Sequence, residues 1–110
     1  MVDIDAAELT TNQLNRKIKE VINSGEKEIK ILNPQARHNI LVALFEECAI
    51  HIDGSVGYYS ASLLDGPQVT INGNAGWALG DNMMSGKIVF AGALAPIKGV
   101  EYLIKAFKQV

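Results

Sequence analysis

Few side chains in this sequence are of types that do chemistry, and their spacing does not gather them into a catalytic motif. Arg37 and His38 stand side by side, and a histidine can carry protons near neutral pH. No carboxylate, serine or cysteine is tied to them by a recognisable spacing. We therefore expect this pair to hold a turn after Pro34 or to face a partner subunit, since catalysis needs a converging site.

The sequence also lacks the usual patterns for metals and cofactors. Two histidines, His38 and His51, are too few for a zinc site, and the single cysteine, Cys48, excludes an intrachain disulfide. Cys48 lies in an apolar stretch and is expected to be a small buried hydrophobe. The glycine motif at 73–80 has neither the Gly-x-Gly nor the Gly-Lys-Ser/Thr element of a nucleotide-binding loop. We predict no catalytic residue, no metal ligand and no cofactor.

Composition fits one domain with ordinary surface chemistry. The chain has 110 residues, 48% of them apolar and 20% charged, with a net charge of −2. This balance gives no reason to expect nucleic acid or an anionic membrane as partner. The apolar runs are too short to cross a bilayer, and the acidic start lacks the basic region of a signal peptide, so a cytoplasmic location is expected.

A repeat runs through the charge-poor middle of the chain. Segments 50–54, 69–73 and 88–92 follow one another at a spacing of 19 residues, and a weaker copy at 29–33 lies 21 residues earlier. Apolar residues alternate within each copy, so stacked copies would share an inner face. The predicted inner ladders are Ile29/Ile50/Val69/Ile88 and Ile31/Ile52/Ile71/Phe90, with Leu64/Met83 as a third and with Lys30, His51 and Thr70 facing outward.

The repeat and its glycines predict a solenoid. A period near 20 residues is typical of units that bury their apolar edges only against neighbours. Glycines recur at the corners, where another backbone must pass close above and below. Hairpin turns at Asp53-Gly54 and Asn72-Gly73 are the alternative, but the segments after them are too small and glycine-rich to be return strands. We predict a mainly β fold, a single-stranded right-handed β-helix of about three to four coils.

Helices are predicted at both ends of this β-helix. Thr10 and Gln13 form a capping box before an amphipathic stretch, and Gly25 is placed to end that helix. After Gly92 the repeat breaks down and a second amphipathic stretch follows Pro96. We therefore expect one domain over 1–110, with a helix over 11–24, coils over 28–95 and a short C-terminal capping helix over 98–109.

Residues 9–92 resemble the third domain of glutamate synthase, the GXGXG domain. The resemblance rests on Asn-Pro-Gln-Ala-Arg-His-Asn at 33–39, Gly-Ser-Val-Gly-Tyr-Tyr at 54–59, Gly-Asn-Ala-Gly-Trp at 73–77 and Met-Met-Ser-Gly at 83–86. It looks most similar to the version in split archaeal and bacterial glutamate synthases and in methylglutamate synthases, where this piece is a separate polypeptide. Formylmethanofuran dehydrogenase contains a related β-helical subunit.

The resemblance implies a structural component of a glutamate synthase-like oxidoreductase. Its partners would be an amidotransferase and an FMN-binding synthase, and it would contribute no catalytic residue and no flavin or iron–sulfur ligand. Relatives continue for several more coils than this sequence is expected to form, so a free-standing homo-oligomeric scaffold is the alternative. Either stacking with one another or anchoring a partner would explain the corner aromatics. The candidate interface residues are Arg37, His38, Tyr58, Tyr59 and Trp77.

Overall fold

The computed structural model describes residues 1–92, so the end of the predicted coils and the predicted helix over 98–109 lie outside it. The described chain forms one sheet of five strands, with one α-helix and a short 3-10 helix near the start. The strands are all parallel and lie in chain order. Their bounds are β1 Val2–Asp5, β2 Glu28–Leu32, β3 Ala49–Asp53, β4 Asp65–Ile71 and β5 Ser85–Phe90, the 3-10 helix spans Ala6–Glu8, and α1 spans Thr11–Asn23.

The predicted mainly β solenoid is confirmed by this topology, and the hairpin alternative is wrong. Ile50 pairs with Val69, and Val69 pairs in turn with Ile88. Because the strands pair in parallel and in register, residues at equivalent positions of successive repeats lie directly above one another. Each predicted ladder is therefore a single column of apolar side chains. Both ladders lie in the core, where most members are almost completely buried and Phe90 is half-buried.

The first strand is not indicated by the sequence pattern. Val2 pairs with Ile29 and Ile4 pairs with Ile31, so β1 extends both inner ladders by one coil. The repeat in the sequence predicts that the sheet begins only after Lys27, at the first copy over 29–33. The strand is four residues long, and α1 interrupts the 19-residue spacing, so no period in the sequence reveals it.

Helix α1 has the ends that the sequence predicts. The Thr10 hydroxyl accepts the Gln13 N–H at 3.1 Å, and the Gln13 side chain accepts the Thr10 N–H at 2.9 Å. Gly25 follows the helix at φ +109°, a conformation that suits glycine. None of the described helices has the length and apolar character needed to cross a bilayer. The apolar face of α1 joins the solenoid core through Leu14, Ile18 and Ile22.

The corner glycines stack as the sequence predicts. A Cβ on Gly73 would lie 2.5 Å from the Gly54 carbonyl carbon, and one on Gly76 would lie 2.4 Å from the same atom of Gly57. Side chains essentially never approach so closely, so only glycine lets the coils stack at this corner. The corner therefore brings the residues after each glycine motif to the same place on successive coils.

Candidate interaction surface

The first aromatic pair joins two successive coils beside the glycine corner. The rings of His38 and Tyr58 stack with centroids 4.5 Å apart and planes inclined by 18°. The imidazole Nδ1 of His38 also accepts the backbone N–H of Tyr58 at 2.7 Å. Both residues are exposed, Tyr58 by 50%. The imidazole is thus a ring platform fixed by the neighbouring coil, with its Nδ1 occupied as an acceptor.

The second aromatic pair lies one residue further along the coils. Tyr59 and Trp77 meet edge to face, with ring centroids 5.6 Å apart, and the Tyr59 N–H donates to the Trp77 carbonyl at 2.9 Å. Tyr59 stays 40% exposed. The aromatics therefore stack between coils and still present ring surface to the outside. Anchoring of a partner by these rings stays a prediction.

Arg37 lies beside these aromatics but points at the chain's own backbone. Its guanidinium donates to the carbonyls of Ala6, Leu9 and Pro34. Ala6 is the first residue of the 3-10 helix and Leu9 directly follows it, while Pro34 begins the corner. Arg37 therefore ties the N-terminal segment to the first coil, and this role accounts for an arginine here. Contact with a partner subunit stays a prediction for this residue.

Asn15, like Arg37, uses its side chain to hold two separate parts of the backbone together. The sequence pattern does not reveal this contact. The Asn15 side-chain amide donates to the Asn39 carbonyl at 2.8 Å and its side-chain oxygen accepts the Leu41 N–H at 2.7 Å. An asparagine on the polar side of an amphipathic helix is ordinarily solvated, so its sequence context carries no sign of the contact. These two bonds fix α1 alongside the first coil.

A further exposed surface is also absent from the sequence-based predictions, and we name it the turn face. It consists of the stacked segments 39–46, 59–65 and 78–84 together with the adjacent edge of α1. The Ala43 N–H donates to the Ser62 carbonyl at 3.0 Å, and the Leu63 N–H donates to the Asp81 carbonyl at 2.8 Å, so the three segments lie one above another. A shallow groove of about 390 Å³ between Lys19 and Val42 marks where α1 borders the face.

Large apolar side chains lie open on the turn face. Phe45 is 66% exposed, Leu63 46% and Met84 74%. The segment after each glycine corner does not alternate like a strand, so the sequence did not indicate which of its side chains point outward. Isolated exposed apolar residues are common on proteins, but a cluster of them on one face is typical of an interaction site.

Cys48 and the two histidines are not brought together into a reactive arrangement. Cys48 is only partly buried, packed against the edge of the core, so the prediction of a buried residue is wrong in degree. Partial burial, and secondarily the negative charge of Glu46, raises the pKa of its thiol from 9.0 to about 11, so it is a poor nucleophile. It lines an open groove of about 510 Å³ with Gln68 and Lys87. His51 lies on the outward face of the sheet, 3.2 Å from the Glu28 carboxylate.

Metal-binding clusters and unpaired buried polar atoms are absent from the part of the chain that the structure describes. No group of three or more histidine, cysteine, aspartate or glutamate residues within 1–92 could hold a metal ion. No buried side-chain nitrogen or oxygen there lacks a hydrogen-bond partner. Among the residues that the structure describes, the features that could recognise a ligand or partner therefore lie on the surface, in the aromatic pairs and on the apolar turn face.

Fold and surface together define a β-solenoid that presents aromatic and apolar side chains along one side. Comparison of sequences shows similarity to Protein GlxC of Rhizobium meliloti (strain 1021), with 36% identity over 87 residues. The match covers 78% of this chain and 38% of that protein, so this chain spans well under half the length of the relative. No family model matches the chain, and no solved structure matches it.

Proposed function

We propose that this chain is a glutamate synthase-related structural module of the GXGXG type, which docks catalytic subunits and does no chemistry itself. The observation that carries the proposal is the stacked glycine corner, where the family-like motifs at 54–59 and 73–77 superpose coil on coil. The similarity to Protein GlxC over 78% of the chain supports assignment to the same group of proteins.

The aromatic pairs are the docking site in this proposal. Aromatic residues dominate the binding energy of many interfaces because they bury a large area with few rotatable bonds. The His38–Tyr58 and Tyr59–Trp77 contacts hold four rings in fixed orientations before any partner arrives. Ordering them on binding therefore costs little entropy. The proposed partners are a class II glutamine amidotransferase and an FMN-binding synthase.

Affinity capture tests this proposal directly. The tagged chain, expressed in its own host, should retain both proposed subunits, each identified by mass spectrometry. Replacing Tyr58, Tyr59 and Trp77 together by serine should abolish the capture. Val89→Ser is the matched control, because Val89 is also exposed but lies in β5 on the other side of the sheet from the core. Far-UV circular dichroism establishes that both variants are folded.

Two results would contradict the proposal. One is that the folded triple variant captures both subunits as well as the unaltered chain does, which would remove the aromatic docking site. The other is that the purified chain alone releases ammonia from glutamine or carries bound flavin, which would make it more than a structural module.

A further inference from the structure

One nitrogen of the His38 imidazole is committed to the fold and the other is not. Nδ1 accepts the Tyr58 N–H at 2.7 Å. A neutral imidazole has one accepting and one donating nitrogen, so its proton is on Nε2. His38 is exposed, and within residues 1–92 its Nε2 makes no hydrogen bond or ion pair. The docking site therefore presents an N–H donor that the described chain does not use.

The direction of this donor is fixed before any partner arrives. The imidazole is held through Nδ1 and by its stack on the Tyr58 ring, with centroids 4.5 Å apart and planes inclined by 18°. Gly57 on the next coil leaves room for the ring, because a Cβ there would lie 2.3 Å from Nδ1. A donor that is already oriented loses little conformational entropy when it binds.

Support of the fold does not by itself require a histidine here. One coil higher, the Ser55 hydroxyl accepts the Asn74 N–H at 2.9 Å. The fold thus satisfies an outward N–H of the next coil with a small hydroxyl group at one position and with an imidazole at the other. What the imidazole adds to the accepted hydrogen bond is an aromatic ring and an outward N–H donor.

The corner around His38 contains no carboxylate of its own. Aspartate and glutamate are absent from the three stacked segments that form it, 34–39, 54–59 and 73–77. Arg37 carries the one formal charge of these segments, and its guanidinium is turned to backbone carbonyls. A hydrogen bond to an ionised oxygen is shorter and about twice as strong as one to a neutral oxygen. The exposed donor therefore suits a carboxylate supplied from outside.

We propose that His38 is the specificity-determining donor of the docking site, and that its Nε2–H binds an aspartate or glutamate carboxylate of a docked subunit. The stacked Tyr58 ring would cover one side of this hydrogen bond and exclude water from it. The inference rests on the proposed function, because it names the chemistry by which the same site recognises its partner.

A matched pair of substitutions separates docking from support of the fold. The side-chain oxygen of asparagine is as many bonds from the backbone as Nδ1, so His38→Asn keeps an acceptor for the Tyr58 N–H and removes the outward donor. The side-chain nitrogen of glutamine likewise matches Nε2, so His38→Gln keeps the donor and removes the acceptor. A role in docking and a role confined to the fold therefore rank the two variants in opposite orders.

The measurement is the dissociation constant of each captured subunit, purified, for the tagged chain and its variants. His38→Asn should raise at least one of the two constants about tenfold or more, the loss expected for a hydrogen bond to a charged group. His38→Gln should stay within about threefold of the unaltered chain. His51→Asn is the control, because His51 is the other histidine and lies on the outward face of the sheet. Far-UV circular dichroism establishes that all three variants are folded.

Two further readouts test the tautomer and the acceptor. Long-range proton–nitrogen NMR of the isolated chain at about pH 8, where histidine side chains are ordinarily neutral, should show the His38 proton on Nε2, with His51→Asn giving the assignment. The loss of affinity in His38→Asn should shrink between about 0.05 M and about 0.5 M NaCl, because salt screens a charged acceptor. A proton on Nδ1, or a loss that is the same at both salt concentrations, would overturn the inference.

The failure of this inference and the failure of the docking function give different results. If the unaltered chain captures neither subunit, both are overturned. If the Tyr58, Tyr59 and Trp77 triple variant loses the subunits while His38→Asn binds both as tightly as the unaltered chain, only the role of His38 is overturned. The same holds if His38→Gln loses more affinity than His38→Asn, since His38 would then only support Tyr58.

Discussion

Replacing Gly73 by alanine would test how tightly the coils are stacked. The added Cβ would lie 2.5 Å from the carbonyl carbon of Gly54 and 2.7 Å from the nitrogen of Ser55. Both are backbone atoms, which cannot turn aside as a side chain would. Ordinary contact begins at 3.4 Å, so the two coils must separate by about 0.9 Å at this corner, given that packed cores hold few voids to absorb the movement.

The cost follows from the hydrogen bonds on either side of Gly73. The Asn72 N–H donates to the Ile52 carbonyl at 2.8 Å, and the Val56 N–H donates to the Asn74 carbonyl at 2.9 Å. A separation of about 0.9 Å stretches both beyond the range of a hydrogen bond. Two broken bonds of this kind should lower the free energy of unfolding by roughly 2–4 kcal/mol, which moves the urea midpoint down by about 1–2 M.

Gly25→Ala is the matched control, because it adds the same methyl group for a different physical reason. A Cβ on Gly25 would have nothing within 4 Å, but the residue has φ +109°. The free energy of unfolding of the control should therefore fall only by the cost of placing a side chain at positive φ, about 1–2 kcal/mol. Gly73 has no positive φ, so its alanine variant carries the clash alone.

Urea unfolding, followed by far-UV circular dichroism and by the fluorescence of the single tryptophan, Trp77, measures both variants. Trp77 lies four residues from the perturbed corner and reports on it directly. A Gly73→Ala protein as stable as the unaltered chain would refute the reasoning. In that case the coils would be able to part freely, and the glycine repeat would have another cause.

Two further predictions concern the core and the thiol. Ile71→Asp should unfold the protein, because Ile71 is completely buried in β4 and burying an unpaired carboxylate costs more free energy than the total stability of a small domain. Thr70→Asp is the control, since Thr70 is one residue away but exposed, and this variant should be folded by circular dichroism. Cys48 should react with a disulfide reagent at pH 8 about a hundredfold more slowly than free cysteine, because a pKa near 11 instead of 9.0 leaves that much less thiolate. Its raised pKa favours the folded state below pH 9, and this contribution is lost as the pH rises toward 11. Reaction at the free-cysteine rate, or a stability that is flat between pH 9 and 11 apart from other titrations, would contradict the assignment of Cys48 as a partly buried thiol with a raised pKa.

Much of the architecture could be predicted from sequence because its determinants repeat or act locally. Parallel strands stacked in register place Ile50, Val69 and Ile88 in one column, so a fixed spacing of apolar residues carries the fold. The capping box of Thr10 and Gln13 acts within three residues, and a single helical turn contains all its partners. The glycine corners were likewise predictable, because their close approach recurs on each coil.

What only the tertiary structure decided involves contacts without a period. Strand β1 pairs with a segment on the far side of α1, so no repeat indicates it. Asn15 donates to the carbonyl of Asn39, and Arg37 donates to those of Leu9 and Ala6, which lie 24 to 31 residues away along the chain. The direction of such a long side chain depends on which backbone carbonyls the fold brings within reach. The positive φ of Leu63 and its exposure depend on how each coil turns to meet the next. Sequence alone therefore determined which residues stack, whereas packing decided which of them remain available to a partner.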